Sequence, residues 1–78
     1  MTTNNTSITN TIRRFGNNIA LLRERKNFSQ FTLAEKLDVS VMTISRIENG
    51  HVVTNIKLLL QIAELFNISV ESLLFDEL

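Results

Sequence analysis

The chain holds no cysteine, no proline, two glycines and one histidine in 78 residues, and each scarcity narrows what it can be. Without cysteine, neither a disulfide nor a thiolate metal site can staple a small fold. A single His51 rules out a multi-histidine metal cluster within one chain. With proline absent and only Gly16 and Gly50 available, most tight corners fall to Asn and Asp, which tolerate positive φ better than other side chains. Apolar runs such as Leu58-Leu59-Leu60 fall far short of the ~20 residues a membrane helix needs. The opening Met1-Thr2-Thr3-Asn4-Asn5 has neither the basic region nor the apolar stretch of a secretory signal. The expectation is a soluble, cytoplasmic protein without cofactor or metal.

Excess charge is missing as well. The formal net charge is zero, which counts against a nonspecific binder of polyanions. The distribution is less even than the sum. Residues 1–50 carry seven Lys/Arg against four acids, a balance of +3, and residues 51–78 a balance of −3. Such a split can orient a protein on a polyanion with its basic end inward, although small domains also show it by chance.

What is present is helical pattern. A chain 44% hydrophobic suits one compact domain if its apolar surface packs well. Residues 1–9, mostly Thr, Asn and Ser without period, read as a flexible N-terminal arm, and residues 10–78 as a single domain. Ile12, Phe15, Ile19 and Leu22 recur at spacings of three, four and three, so a first helix is expected from Asn10 to an Asn27 terminator. Ser29 caps a second helix, Gln30 to Leu37, burying Leu33, Ala34 and Leu37. Ser40 caps a third, Val41 to Asn49, with Ile44 and Ile47 inside and Gly50 at its end. Thr54 is expected to cap a fourth, Asn55 to Phe66, whose apolar face is Ile56, Leu59, Leu60, Ile62, Ala63 and Phe66. Ser69 caps a short fifth that buries Val70, Leu73 and Leu74. Five short helices and no strand signal predict an all-α domain.

The second and third helices are joined by about three residues and must cross steeply. Ala34 supplies the small side chain that a close crossing needs. Asp38 can take the unusual φ of the turn, and Val39, Ile44 and Ile47 tie the third helix down against Leu33 and Leu37. The stretch Ser29 to Leu37, then Asp38-Val39-Ser40, then Val41 to Gly50, resembles the phage-repressor/Cro-type helix-turn-helix (the XRE family). Flanking pieces are similar to that family too: Ile19 to Arg25, Ile62 to Phe66, and Ser69 to Leu74, so that the resemblance spans roughly residues 12–75. It implies a five-helix, lambda-repressor-like fold with the helix-turn-helix at helices 2 and 3, and binding to duplex DNA. Asp38 and Asn27 stand where the family most often has Gly, which puts slight strain at those turns. Phe31-Thr32 stands where polar or acidic residues are usual.

With Ile44 and Ile47 inward, Val41, Met42, Ser45, Arg46 and Asn49 point outward. An exposed Val-Met pair opening a helix is unfavourable in water unless something covers it. Thymine methyl groups in a major groove would do so, as would a dimer partner or the fourth helix; the outward geometry favours DNA. Arg46 can reach guanine O6 and N7 bidentately, and Ser45 can bond a base edge or a phosphate. The candidate base readers are therefore Val41, Met42, Ser45 and Arg46. Gln30 opens the second helix, where free N–H groups can meet a phosphate, and an ordinary solvated helix start is the equal alternative. The resemblance implies that Gln30, Thr43 and Asn49 hold the DNA backbone. Thr54 and Asn55 offer a further clamp on the DNA backbone and Lys57 adds charge there, while His51 is expected to be an exposed loop residue. The resemblance also implies a partly buried ion pair between Arg23 and Glu48, structural rather than catalytic.

A module this small buries little DNA alone, and the family usually binds palindromes as dimers. Leu74, Phe75 and Leu78 are the candidate homodimer interface. The expected function is a transcriptional repressor or regulator acting by occupying an operator. The alternative is a protein-interaction module such as an antitoxin, with a protein partner on the Val41-Met42 surface or the arm. An enzyme is not expected, since no nucleophile, base and orienting group fall together.

Overall fold

The computed structural model describes residues 5–51 and 54–78. Among these residues there are five helices and no strand: α1 (Asn5–Arg25), α2 (Gln30–Leu37), α3 (Val41–Glu48), α4 (Ile56–Phe66) and α5 (Val70–Phe75). None is long and apolar enough to cross a membrane. The all-α arrangement expected from the pattern, and the lambda-repressor-like fold with a helix-turn-helix at α2 and α3 that the resemblance implies, are the ones observed.

Corners made without proline share one device. At the ends of α1, α2 and α4 the chain turns through Asn27, Asp38 and Asn67, at φ 59°, 57° and 53°. Each turn is closed by a pair of backbone hydrogen bonds. Phe28 N–H donates to Arg23 O at 3.0 Å, Val39 N–H to Ala34 O at 3.0 Å, and Ile68 N–H to Ala63 O at 3.0 Å. The left-handed residues donate inside these bonds, as in a Schellman closure. The residue after each turn is apolar (Phe28, Val39, Ile68) and packs on the core, which couples helix ending to burial. α3 ends in the same way through Gly50, φ 73°, with His51 N–H bonded to Arg46 O at 2.9 Å.

Helix starts are equally regular. The side chains of Ser29, Ser40, Asn55 and Ser69 accept from the backbone N–H three residues on, at Thr32, Thr43, Leu58 and Ser72, each satisfying a donor the helix cannot. Asn55, not Thr54, caps α4. Its extended backbone and amide oxygen, 2.8 Å from Leu58 N, do the work, while the Thr54 hydroxyl lies 3.3 Å from Asn55 O.

Two further expectations need correction. α1 begins at Asn5 rather than Asn10, so part of the stretch read as an arm is helical; residues 1–4 lie outside the described residues. Asn, Thr and Ser are mediocre helix formers, but extending an existing helix costs far less than nucleating one. Ile8 continues the apolar spacing one turn ahead of Ile12 but is exposed, so core burial does not drive this extension. In α4 the buried residues are Leu58, Ile62 and Phe66, whereas Ile56 and Leu60 are exposed. Leu59, Ile62, Ala63 and Phe66 of the expected face do pack on the core; Leu58 joins them in place of Ile56 and Leu60. Three consecutive leucines do not fix which of them goes inside.

The core joins Phe15 and Ile19 of α1, Leu33, Ala34 and Leu37 of α2, Ile44 and Ile47 of α3, Leu58, Ile62 and Phe66 of α4, and Leu73 of α5. α1 packs on both α3 and α5, and α2 lies against α3. Phe28 and Phe66 meet with ring centroids 6.5 Å apart, and the Lys36 ammonium sits 5.0 Å over the Phe28 ring.

Candidate nucleic-acid interface

α3 is buried on one side and open on the other. Ile44 and Ile47 are 0% and 1% exposed, and Met42, on the opposite side, 60%. Val41 and Arg46 are also exposed and Ser45 is half-buried. The four residues proposed to read bases thus share the outward side of a helix whose inward side is fixed in the core. Ser40 holds the start of that helix through Thr43 N at 3.0 Å, and the Ser40 and Thr43 hydroxyls lie 2.9 Å apart.

The other end of α3 is held more elaborately. Arg23 Nε donates to Glu48 Oε2 at 2.6 Å and Nη2 to Oε1 at 3.1 Å, a two-point contact. Arg23 Nη1 also donates to Phe28 O at 2.9 Å, so one side chain joins α1, the turn after it and α3. The two side chains are 14% and 7% exposed. The hydrogen bond that Arg23 donates to Glu48, opposed by burial and helped by the charges of Glu48 and Glu24, raises the Arg23 pKa above its ordinary value.

Gln30 joins this group. Its Nε2 donates to Glu48 Oε1 at 2.9 Å, so the amide expected to face a phosphate is engaged with the carboxylate. Asn49, exposed at the end of α3, likewise turns its Nδ2 back onto Ser45 O at 2.8 Å. Asn55 spends its oxygen on the α4 cap; both it and Lys57 are exposed, as is His51.

Residues not singled out from sequence complete the platform. Gly16 lies where α1 crosses the end of α3. A Cβ there would run into the Ile47 carbonyl oxygen and lie 3.1 Å from that of Glu48. Asn18 is buried, and its Nδ2 donates to Leu73 O at 2.8 Å and Asp76 O at 2.9 Å while its Oδ1 accepts from Leu78 N at 3.3 Å. It pins the C-terminal turn to α1. The one signal for it is a polar residue inside the Phe15–Leu22 stripe. The candidate dimer residues divide accordingly: Leu74 packs against the core, Phe75 is 63% exposed, and Leu78 is tied through its backbone to Asn18 and, by its carbonyl, to Arg25 at 2.9 Å.

A fixed inner face, a free outer face and a short turn between crossing helices define a helix-turn-helix protein of the DNA-binding kind. A family model described as helix-turn-helix matches residues 19–73, and the chain belongs to that family, whose XRE-type members are DNA-binding transcriptional regulators. No curated protein matches the chain.

Proposed function

We propose that this protein is a sequence-specific transcriptional repressor, a cytoplasmic binding protein rather than an enzyme, that occupies a palindromic operator as a homodimer. The observation that carries the reading is the two-sided character of α3. An apolar pair, Val41 and Met42, is left in solvent on a helix whose opposite face is locked in the core. Val41 and Met42 would lie on thymine methyl groups, Ser45 on a base edge, and Arg46 on a guanine. Thr43, Asn55 and Lys57 would hold the backbone. Gln30 would join them with the N–H that its amide nitrogen has left after its bond to Glu48, and Asn49 by exchanging the longer of its two contacts to Ser45, 3.4 Å to Oγ, for a phosphate oxygen. Phe75, exposed on α5, supports dimerisation through the C-terminal region, with Leu74 and Leu78 at its border.

Selection of bound duplexes from a random DNA pool tests this. The expected product is a palindrome with half-sites about one helical turn apart. A pool that stays unselected overturns the DNA reading, and equilibrium sedimentation showing only monomer at high concentration overturns the dimer. The second reading is a protein-interaction module such as an antitoxin. It draws on Phe31, 61% exposed, which borders a groove of about 430 Å³ with Val41, Glu35 and Asp38. Under that reading, binding to DNA would lack the steep salt dependence that counterion release imposes.

A further inference from the structure

We propose that α1 supplies a DNA phosphate contact of its own, Arg13, from the part of the helix that precedes the family-matched segment. The inference rests on the DNA reading above and extends it to a residue outside the helix-turn-helix.

Two close approaches place Arg13. At Gly16 the backbone of α1 comes against the carbonyl groups of Ile47 and Glu48, and one turn earlier the Arg13 side chain lies against Gly50, its Cγ 3.3 Å from where a Gly50 Cβ would stand. Residues 13 and 16 share one face of α1. As α1 runs back from 16 to 13, the chain it touches runs forward from 47 to 50. Arg13 therefore flanks the C-terminal end of the recognition helix, next to Asn49, already a candidate for the DNA backbone. The absence of any Cβ at Gly50 leaves the Arg13 stem room to lie there.

The electrostatics agree. No acidic residue precedes Glu24 in the sequence, so this half of α1 is purely basic. Arg14 is drawn toward Glu77 at 3.9 Å and Arg23 is committed to Glu48. Arg13 is exposed and, among the described residues, has no carboxylate partner. An unpaired guanidinium on the flank of a groove-binding helix is suited to a phosphodiester, where Arg makes paired hydrogen bonds.

The test is the salt dependence of binding by the full chain, measured on the selected operator and on a random duplex of equal length between about 50 and 200 mM salt. Arg13→Gln should weaken binding to both duplexes by similar factors. It should also reduce the slope of log K against log salt by about 0.9 per protomer bound, equivalent to about 3.5-fold less loss of affinity across that range. Arg13→Lys, which keeps the charge, should retain the wild-type slope, and so should Arg14→Gln. A slope unchanged in Arg13→Gln overturns the proposal, including the case where only the melting temperature falls, which would make Arg13 a partner of the α3 dipole alone. An equal drop in Arg14→Gln overturns it too, because the effect would then be one of overall charge. Failure of the wild-type chain to bind either duplex would instead sink the DNA reading, before any variant is compared.

Discussion

Glu48→Ala is the substitution with the most to lose. In the folded chain the Glu48 carboxylate receives two guanidinium hydrogen bonds from Arg23 and one amide bond from Gln30. Truncation removes all three and leaves Arg23 largely buried with the Phe28 carbonyl and an exposed Glu24, 3.8 Å away. Breaking a buried pair from one side costs ~3–5 kcal/mol because the surviving charge is stranded. Glu24 is exposed and can recover part of the loss, so about 3 kcal/mol is expected. For a domain of this size each kcal/mol moves the melting point by roughly 4–8 °C, which gives a fall of about 12–24 °C. Circular dichroism melts, and urea titrations in which the midpoint falls at constant slope, would measure it. The double variant Arg23→Met with Glu48→Leu should recover most of the loss, since replacing both charges with apolar groups of similar bulk is often nearly neutral. A Glu48→Ala melt within a degree or two of wild type (roughly the resolution of such melts) would refute the stranded-charge reasoning. A double variant no more stable than the single one would show that packing, not charge, is at stake.

Three further outcomes follow from named contacts. Asn18→Ala should lower stability by about 1–3 kcal/mol, the cost of leaving buried carbonyls without their donor, and should speed hydrogen exchange at the Leu78 amide; exchange at the wild-type rate would mean that Asn18 does not hold the C-terminal turn. Asp38→Gly should raise the melting point by several degrees, because a non-glycine residue at φ 57° carries strain of about 1 kcal/mol; a lower melt would show that the Asp38 side chain stabilises the turn. Arg46→Ala should weaken binding to the selected operator roughly ten- to a hundredfold, the value of a bidentate guanine contact, with far less effect on random duplex; equal losses on both would reassign Arg46 to a phosphate.

The parts of this fold visible in the sequence are those set by local chemistry. Ser29, Ser40 and Ser69 mark helix starts because a hydroxyl three residues before a free N–H has one favourable geometry, and each caps as expected. Asn27, Asp38, Gly50 and Asn67 mark the ends because few residues take positive φ cheaply. Where local signals are degenerate, tertiary packing decides. Thr54 and Asn55 are both competent caps, and tertiary placement chose Asn55. Leu58, Leu59 and Leu60 are equally apolar, so only the α2–α4–α5 packing determines that Leu58 goes inside while Leu60 stays in solvent. Thr, Asn and Ser near residue 5 carry no helical period, and they are helical as an extension of a helix nucleated elsewhere.

The residues that were not visible share a different property: their partners are backbone atoms distant in sequence. Gly16 meets the carbonyls of residues 47 and 48, and Asn18 meets those of residues 73 and 76. A carbonyl is present at every position, so no residue type on the partner side announces the contact. Both residues lie in the stretch of α1 ahead of the matched segment, residues 19–73, yet they hold that segment in place: Gly16 at the end of α3, Asn18 at α5 and the turn after it. The orientation of the Val41–Arg46 face therefore depends on a helix half that the helix-turn-helix pattern does not contain. Gly16→Ala should tilt or lift the end of α3 away from α1, since the added methyl has only rigid backbone to push against. It should thus lose operator selectivity before it loses affinity for random duplex.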